Sequence, residues 1–190
     1  EPALSPVAHA RTGGQFRRPS DGKEPKTVVF ISCVGSRDNA KGLSYCSKIC
    51  CMTAVKNALL IKESSPDAVV HVLYRDMQMY GADLESMLWE ARGKGIRFDV
   101  YDASNPPAVK PKEVDYYQPL MGETQNIPCD LVVLSTPMVA REDVPGLSQL
   151  MRVAIDQNQF FLEAHAKLRP LDFATDGIFV AGCARYPATV

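Results

Sequence analysis

Hydrophobic and polar positions fall into two periods along this chain. Thr27-Val-Val-Phe-Ile-Ser32 is a short β-branched and aromatic run, the pattern of a strand buried on both faces. A helix follows from Ser44 or Tyr45 to about Glu63, with Ile49, Met52, Val55 and Leu59 at helical spacing and Ser64, Ser65 and Pro66 as its stop. Ala68 to Tyr74 reads as a second strand. Asp83 to Gly93 reads as a second helix with Leu84, Met87, Leu88 and Ala91 inward, ended by Gly93 and Gly95. Ile96 to Tyr101 is a third strand. Alternation of strand and helix over residues 27–101 predicts an α/β fold, a Rossmann-like parallel sheet with helices on both faces.

Beyond Tyr101 the pattern weakens. Asn105-Pro-Pro107 and Pro111 interrupt residues 102–127, and only Val114 to Gln118 offers an antiparallel strand there. Cys129 to Ser135 is another buried strand, a short helix is expected around Leu147 to Met151, and Gly177 to Gly182 is the last expected strand. Residues 1–26 lack a sustained apolar period and read as an extended lead-in. The expected division is therefore 1–26, 27–128 and 129–190.

Composition narrows the function classes. The chain has 190 residues and a net charge of −1, which gives no general attraction to nucleic acid or to an anionic membrane. No apolar run approaches the roughly 20 residues of a spanning helix, so no membrane insertion is expected. Glu1 to Arg18 lacks the basic start and apolar centre of a signal peptide, and the expected location is cytoplasmic. A first residue of Glu rather than Met fits a piece of a longer protein.

The cysteines change the picture most. Four of the six, Cys33, Cys46, Cys50 and Cys51, fall within 19 residues, and two are adjacent. Adjacent cysteines fit disulfide geometry poorly, and clustered cysteines in a reducing compartment point to metal ligation or redox chemistry. Cys33 lies at the carboxyl end of the first strand, where a nucleotide-binding sheet carries a glycine-rich phosphate loop. Here Cys33-Val-Gly-Ser-Arg37 holds one glycine and no G-x-G-x-x-G. The other three enter or open the following helix, whose N-terminal N–H groups favour thiolates. If the helix includes Cys46, it shares with Cys50 a face turned away from the apolar stripe. Four thiolates suit an iron–sulfur centre or a structural zinc, although no paired C-x2-C knuckles are present. Inert buried cysteines or a redox disulfide are the other readings.

Other marked residues read as ordinary. His71 fits a core histidine, and Cys129 a buried inert thiol. His165 has a flavin-side or a structural reading. Arg37 and Lys48 are placed either to tune a cluster through charge or as solvated surface.

Three stretches resemble a known family. They are Val29-Phe-Ile-Ser-Cys-Val-Gly-Ser-Arg-Asp38 with Tyr45-Cys-Ser-Lys-Ile-Cys-Cys-Met52, then Asp130-Leu-Val-Val-Leu-Ser-Thr-Pro-Met138, then Phe161 to Pro170 with Ala174-Thr-Asp-Gly-Ile-Phe-Val-Ala-Gly-Cys183. Together they resemble the heterodisulfide reductase family, in its subunit that carries FAD and iron–sulfur clusters. The resemblance implies a [4Fe-4S] cluster on Cys33, Cys46, Cys50 and Cys51 in a domain descended from an NADPH-binding one. It also implies that residues 129–190 are the re-entry and C-terminal part of an FAD-binding domain. Thr136, Asp176, Gly182 and Cys183 then correspond to flavin-side residues of the full-length subunit. Pro137 stands where glycine is usual in the family. The amino-terminal FAD fingerprint is absent, so FAD is not expected on this chain alone. The implied partners are other subunits of a heterodisulfide-reductase-like assembly, with a hydrogenase or a quinone-linked complex beyond them. A zinc-stabilised scaffold is the alternative, and an NAD(P)-dependent reductase is disfavoured by the missing glycine fingerprint.

Overall fold

A computed structural model of the chain describes residues 16–188. It divides into two compact units: one ends at Val34 and resumes over Cys50–Thr136, and the other joins Gly35–Ile49 to the chain from Pro137 onward.

The first unit is built on a four-stranded parallel sheet. Its strands are β1 (Thr27–Ile31), β2 (Val69–Tyr74), β3 (Arg97–Val100) and β7 (Leu131–Leu134), in spatial order β3-β2-β1-β7. Val29 pairs in register with His71 on one side and Val132 on the other, so β1 is central. Helices α1 (Cys50–Ser64) and α2 (Leu84–Gly93) supply the crossovers. Both pack on one face, where Val28, Phe30, Val70 and Val72 meet Ala54, Val55, Ala58, Ile61 and Ala91. The expected parallel α/β sheet is present.

The opposite face is covered differently from the expected second helical layer. Residues 108–128 form an antiparallel sheet of β4 (Ala108–Lys110), β5 (Glu113–Gln118) and β6 (Glu123–Pro128). Val114, Tyr116 and Ile127 from this sheet pack against Val29, Ile31, Leu73 and Tyr101. Alternation explains β5: Val114, Tyr116 and Gln118 are buried while the residues between them are half-buried. Gly122, at φ 71°, closes the β5–β6 hairpin.

Strand β7 belongs to the first sheet. It pairs parallel with β1, and Asp130 Oδ2 accepts from the N–H groups of Lys26 and Thr27 at 2.9 and 3.0 Å. The contact boundary thus falls after Thr136 rather than before Cys129. Part of the expected lead-in is also anchored, because Phe16 is 5% exposed in the helical-face core. Residues 1–15 lie outside the described residues.

The second unit has a smaller core of Val144, Val153, Phe161, Phe173 and Val180. Its helix α3 (Val144–Met151) carries Pro145 in the first turn and ends at Arg152 in the left-handed region. The strand expected over Gly177 to Gly182 does not form. A single bridge joins Asp172 to Phe179, and Gly182–Ala184 closes into a 3-10 turn. Phe179 is 68% exposed, so this apolar run is not matched by burial.

Candidate metal centre

The four cysteines expected to bind metal are distributed over both units. Backbone bonds carry the sheet past the end of β1: Ser32 N–H donates to Leu73 O at 2.9 Å and Val34 N–H to Ser135 O at 3.1 Å. The Tyr101 hydroxyl donates to Ser32 O at 2.7 Å, and Ser32 is 1% exposed. Cys33 sits between these anchored residues with φ 58°, a left-handed conformation uncommon for a side-chain-bearing residue. The chain leaves for the second unit after Val34 and re-enters the first at Cys50.

Helix α1 starts at Cys50, not at Ser44 or Tyr45. Lys48, at φ 61°, is incompatible with a continuous right-handed helix, and Ile49 N–H bonds back only to Ser47 O. Cys46 therefore lies in the loop and shares no helical face with Cys50. Cys51 lies on the buried face with Ala54, Val55 and Ala58; its Sγ is 3.7 Å from Asp76 O. Cys33, Cys46 and Cys50 are half-buried. None of the six cysteines forms a disulfide. Among the described residues, no group of three or more His, Cys, Asp or Glu side chains is arranged to hold a metal ion.

The local chemistry fits a thiolate-bound centre. No acidic residue occupies the first turn of α1, so the N–H groups at its start meet no competing side-chain charge there. Ser32 Oγ is buried and has no hydrogen-bond partner, which leaves a hydroxyl donor next to Cys33 in sequence. Cys46 Sγ accepts the Lys48 N–H at 3.3 Å, the kind of backbone bond that metal-bound sulfur accepts. Cys129 contrasts with these: it is buried, and its thiol is pushed up by burial first and then by the charges of Asp130 and Glu113. That environment keeps it protonated and unreactive.

The second unit holds the Cys46 loop through contacts that sequence reading did not find. The Tyr45 hydroxyl donates to Met138 O at 2.9 Å, and Met138 N–H donates to Ser47 Oγ at 2.9 Å. Burial, followed by the charge of Asp156, raises the Tyr45 pKa, which keeps its hydroxyl a donor. Lys48 Nζ lies 4.3 Å from the centre of the Tyr186 ring, which also carries the Arg185 guanidinium at 4.8 Å. Arg185 makes two bonds to Glu163, at 2.8 and 2.6 Å. The sequence signal for these contacts was only the closeness of Tyr45, Ser47 and Lys48 to Cys46. Arg37 also serves the loop, donating its N–H to Tyr45 O at 3.0 Å.

The flavin-side candidates divide likewise. Thr136 is exposed at the end of the first unit, whereas Asp176, Gly182 and Cys183 are exposed in the second. Asp176 reaches Arg169 at 3.9 Å, and Gly182 opens the 3-10 turn with φ 56°. Cys183 lines a cavity of about 560 Å³ with Met138, Val144, Leu147, Phe160 and Phe161. That volume lies within the usual range of small-molecule sites.

His165 has a local structural role, with its Nδ1 accepting the N–H groups of Lys167 and Leu168 at 3.2 Å each. His71 is buried on β2 with Nδ1 3.6 Å from Asp99 Oδ2, beyond hydrogen-bond reach, so it is a core histidine without a bond at that nitrogen. No described helix is long and apolar enough to cross a membrane.

The curated proteins that align with this architecture give its relationship. The chain is 42% identical over 183 residues to the iron-sulfur subunit of CoB–CoM heterodisulfide reductase from Methanocaldococcus jannaschii, covering 94% of the chain. It is 39% identical over 187 residues to a CoB–CoM heterodisulfide reductase iron-sulfur subunit from Methanopyrus kandleri, covering 96% of the chain. Over the stretch it covers, the chain is a homologue of this heterodisulfide reductase subunit. It spans 28% of the length of each of these two relatives. No protein-family model matches. Among solved structures, thioredoxin reductase from Lactococcus lactis aligns with TM-score 0.51 and 14% identity, over 84% of this chain and 44% of that one. That likeness concerns the fold, a thioredoxin-reductase-like Rossmann-type architecture.

Proposed function

We propose that this chain is the electron-transfer part of a heterodisulfide-reductase-like flavin and iron–sulfur oxidoreductase. In this reading it binds one [4Fe-4S] cluster through Cys33, Cys46, Cys50 and Cys51. The observation that carries the reading is the near-complete alignment of the chain with proteins named as iron-sulfur subunits of heterodisulfide reductase. The placement of Cys33 at the end of β1 and of Cys50 and Cys51 at the start of α1 supports it. These are the strand-to-helix positions where the parent fold cradles phosphate.

Such a cluster, when bound, accepts and passes on single electrons. The residues described above do the protein's part. Cys33 is fixed by the backbone bonds on either side of it, and the N-terminus of α1 offsets thiolate charge at Cys50 and Cys51. Lys48 supplies both a backbone donor to Cys46 and a cationic side chain.

Residues 129–190, with Thr136 among them, are assigned to the re-entry and C-terminal part of an FAD-binding domain. Asp176, Gly182 and Cys183 are its flavin-side residues in the full-length protein. Partner subunits of a heterodisulfide-reductase-like assembly are the electron donor and acceptor. Some relatives are named as hydrogen- or formate-linked and others as ferredoxin-linked reductases, which makes a hydrogenase or a ferredoxin a suitable source. Anaerobic reconstitution with iron and sulfide, followed by counting of both, tests the proposal. Four of each per chain support it, and zinc uptake without iron–sulfide assembly refutes it.

A further inference from the structure

Cys46 is flanked by two side chains that grip the same residue. Tyr45, just before it, donates its hydroxyl to Met138 O at 2.9 Å, and Ser47, just after it, accepts Met138 N–H at 2.9 Å. One residue's two peptide groups thus hold both neighbours of the thiol. Lys48, at φ 61°, turns its N–H back to Cys46 Sγ at 3.3 Å. The Tyr45 ring meets Phe160 edge-on, with ring centres 5.6 Å apart. Met138 and Phe160 both line the 560 Å³ cavity that Cys183 also borders. Gly35, at φ 87°, lies beside Pro137, whose Cδ would be 3.6 Å from a Cβ there, an ordinary contact distance. The segment around Met138 is therefore built into the mounting of a cysteine loop.

We propose that Tyr45 and Ser47 are positioning residues that hold the Cys46 thiol in a preset geometry through Met138, tying it to the wall of the cavity. The proposal rests on the cluster reading only in treating Cys46 as a ligand. The clamp itself belongs to the metal-free chain. Local opening of the clamp would expose Cys46 and leave Cys129 buried, whereas global unfolding exposes both.

The test is the alkylation rate of each cysteine in the reduced, metal-free full chain, read by peptide mapping after limiting iodoacetamide. Ser47→Ala and Tyr45→Phe should each speed modification of Cys46 by about fivefold, the usual net worth of one hydrogen bond. Ser47→Thr keeps a hydroxyl and should stay near the unsubstituted rate. Exposed Cys183 should keep its rate, and buried Cys129 should stay unreactive in every variant, reporting an intact fold. An unchanged Cys46 rate in both variants overturns the proposal, as does a joint rise at Cys46 and Cys129. In a second arm, the reconstituted chain is challenged with a ferrous chelator, and iron loss should quicken in the same two variants. If the unsubstituted chain assembles no iron and sulfide, the cluster reading falls, while the alkylation rates still decide the clamp.

Discussion

Tyr101→Phe tests how the structure fixes the approach to Cys33. The Tyr101 hydroxyl reaches Ser32 O at 2.7 Å, with Tyr101 5% and Ser32 1% exposed. The substitution keeps the ring in its core beside Ile31 and Leu73 and removes only the donor. A buried carbonyl that loses its partner costs more than the net value of the bond, about 1–3 kcal/mol, because no water replaces the donor. We expect a loss of about 1.5 kcal/mol. With a urea dependence of about 2 kcal/mol per molar, the midpoint falls by roughly 0.5–1 M. Trp89, the chain's one tryptophan, lies on α2 of the same unit, so its fluorescence follows this unit during urea unfolding. Tyr80→Phe, at a residue 51% exposed, serves as the control and should stay within about 0.5 kcal/mol of the parent. A Tyr101→Phe midpoint equal to that of the control would show that the Ser32 carbonyl does not depend on this donor.

Further outcomes follow from the same residues. After reconstitution, Cys46→Ser or Cys50→Ser should remove most visible cluster absorbance while Cys129→Ser keeps it; equal loss in all three sinks the ligand assignment. Asp130 has its pKa lowered, first by the Thr27 N–H and also by Lys26 N–H and nearby cations. A carboxyl depressed in the folded state adds stability above its unfolded pKa, near 4, that is lost as pH falls through the folded value. Asp130→Asn should therefore flatten the fall in stability between about pH 5 and pH 2, and an unchanged acid-unfolding profile contradicts this. The chain should bind NADPH no more tightly than millimolar by calorimetry, since Val34 and Ser36 put side chains where a pyrophosphate loop needs bare backbone; micromolar binding revives a nicotinamide-dependent reductase.

The sheet was legible because its strands are short, mostly apolar runs, interrupted in β2 by His71. Val28 to Ile31, Val70 to Leu73 and Leu131 to Leu134 each appear within a residue or two of the expected bounds. The antiparallel layer was only partly legible: Val114 to Gln118 showed through alternation, but Ala108–Lys110 and Glu123–Pro128 carry too few apolar residues to declare themselves. Their pairing is settled by β5 between them. Helix α1 was read too early because Ser44 and Tyr45 resemble a helix start, while the break at Lys48 depends on a backbone conformation that no residue type announces. The last expected strand failed for want of a partner, since Phe179 finds only a single bridge to Asp172. At the candidate site, residue types and spacing pointed to four thiols. The reciprocal grip of Tyr45 and Ser47 on Met138 joins residues about 90 positions apart and is invisible to any local pattern.

Joint binding of one iron–sulfur cluster by Cys33, Cys46, Cys50 and Cys51 is read most directly by Mössbauer spectroscopy. The sample is the anaerobically reconstituted chain with iron-57, with iron and acid-labile sulfide counted alongside. A shared cluster predicts four irons and four sulfides per chain in a spectrum of a single four-iron centre, lost when Cys46 is replaced by serine. Iron that stays mononuclear or adventitious, with sulfide near zero in the unsubstituted chain, contradicts it.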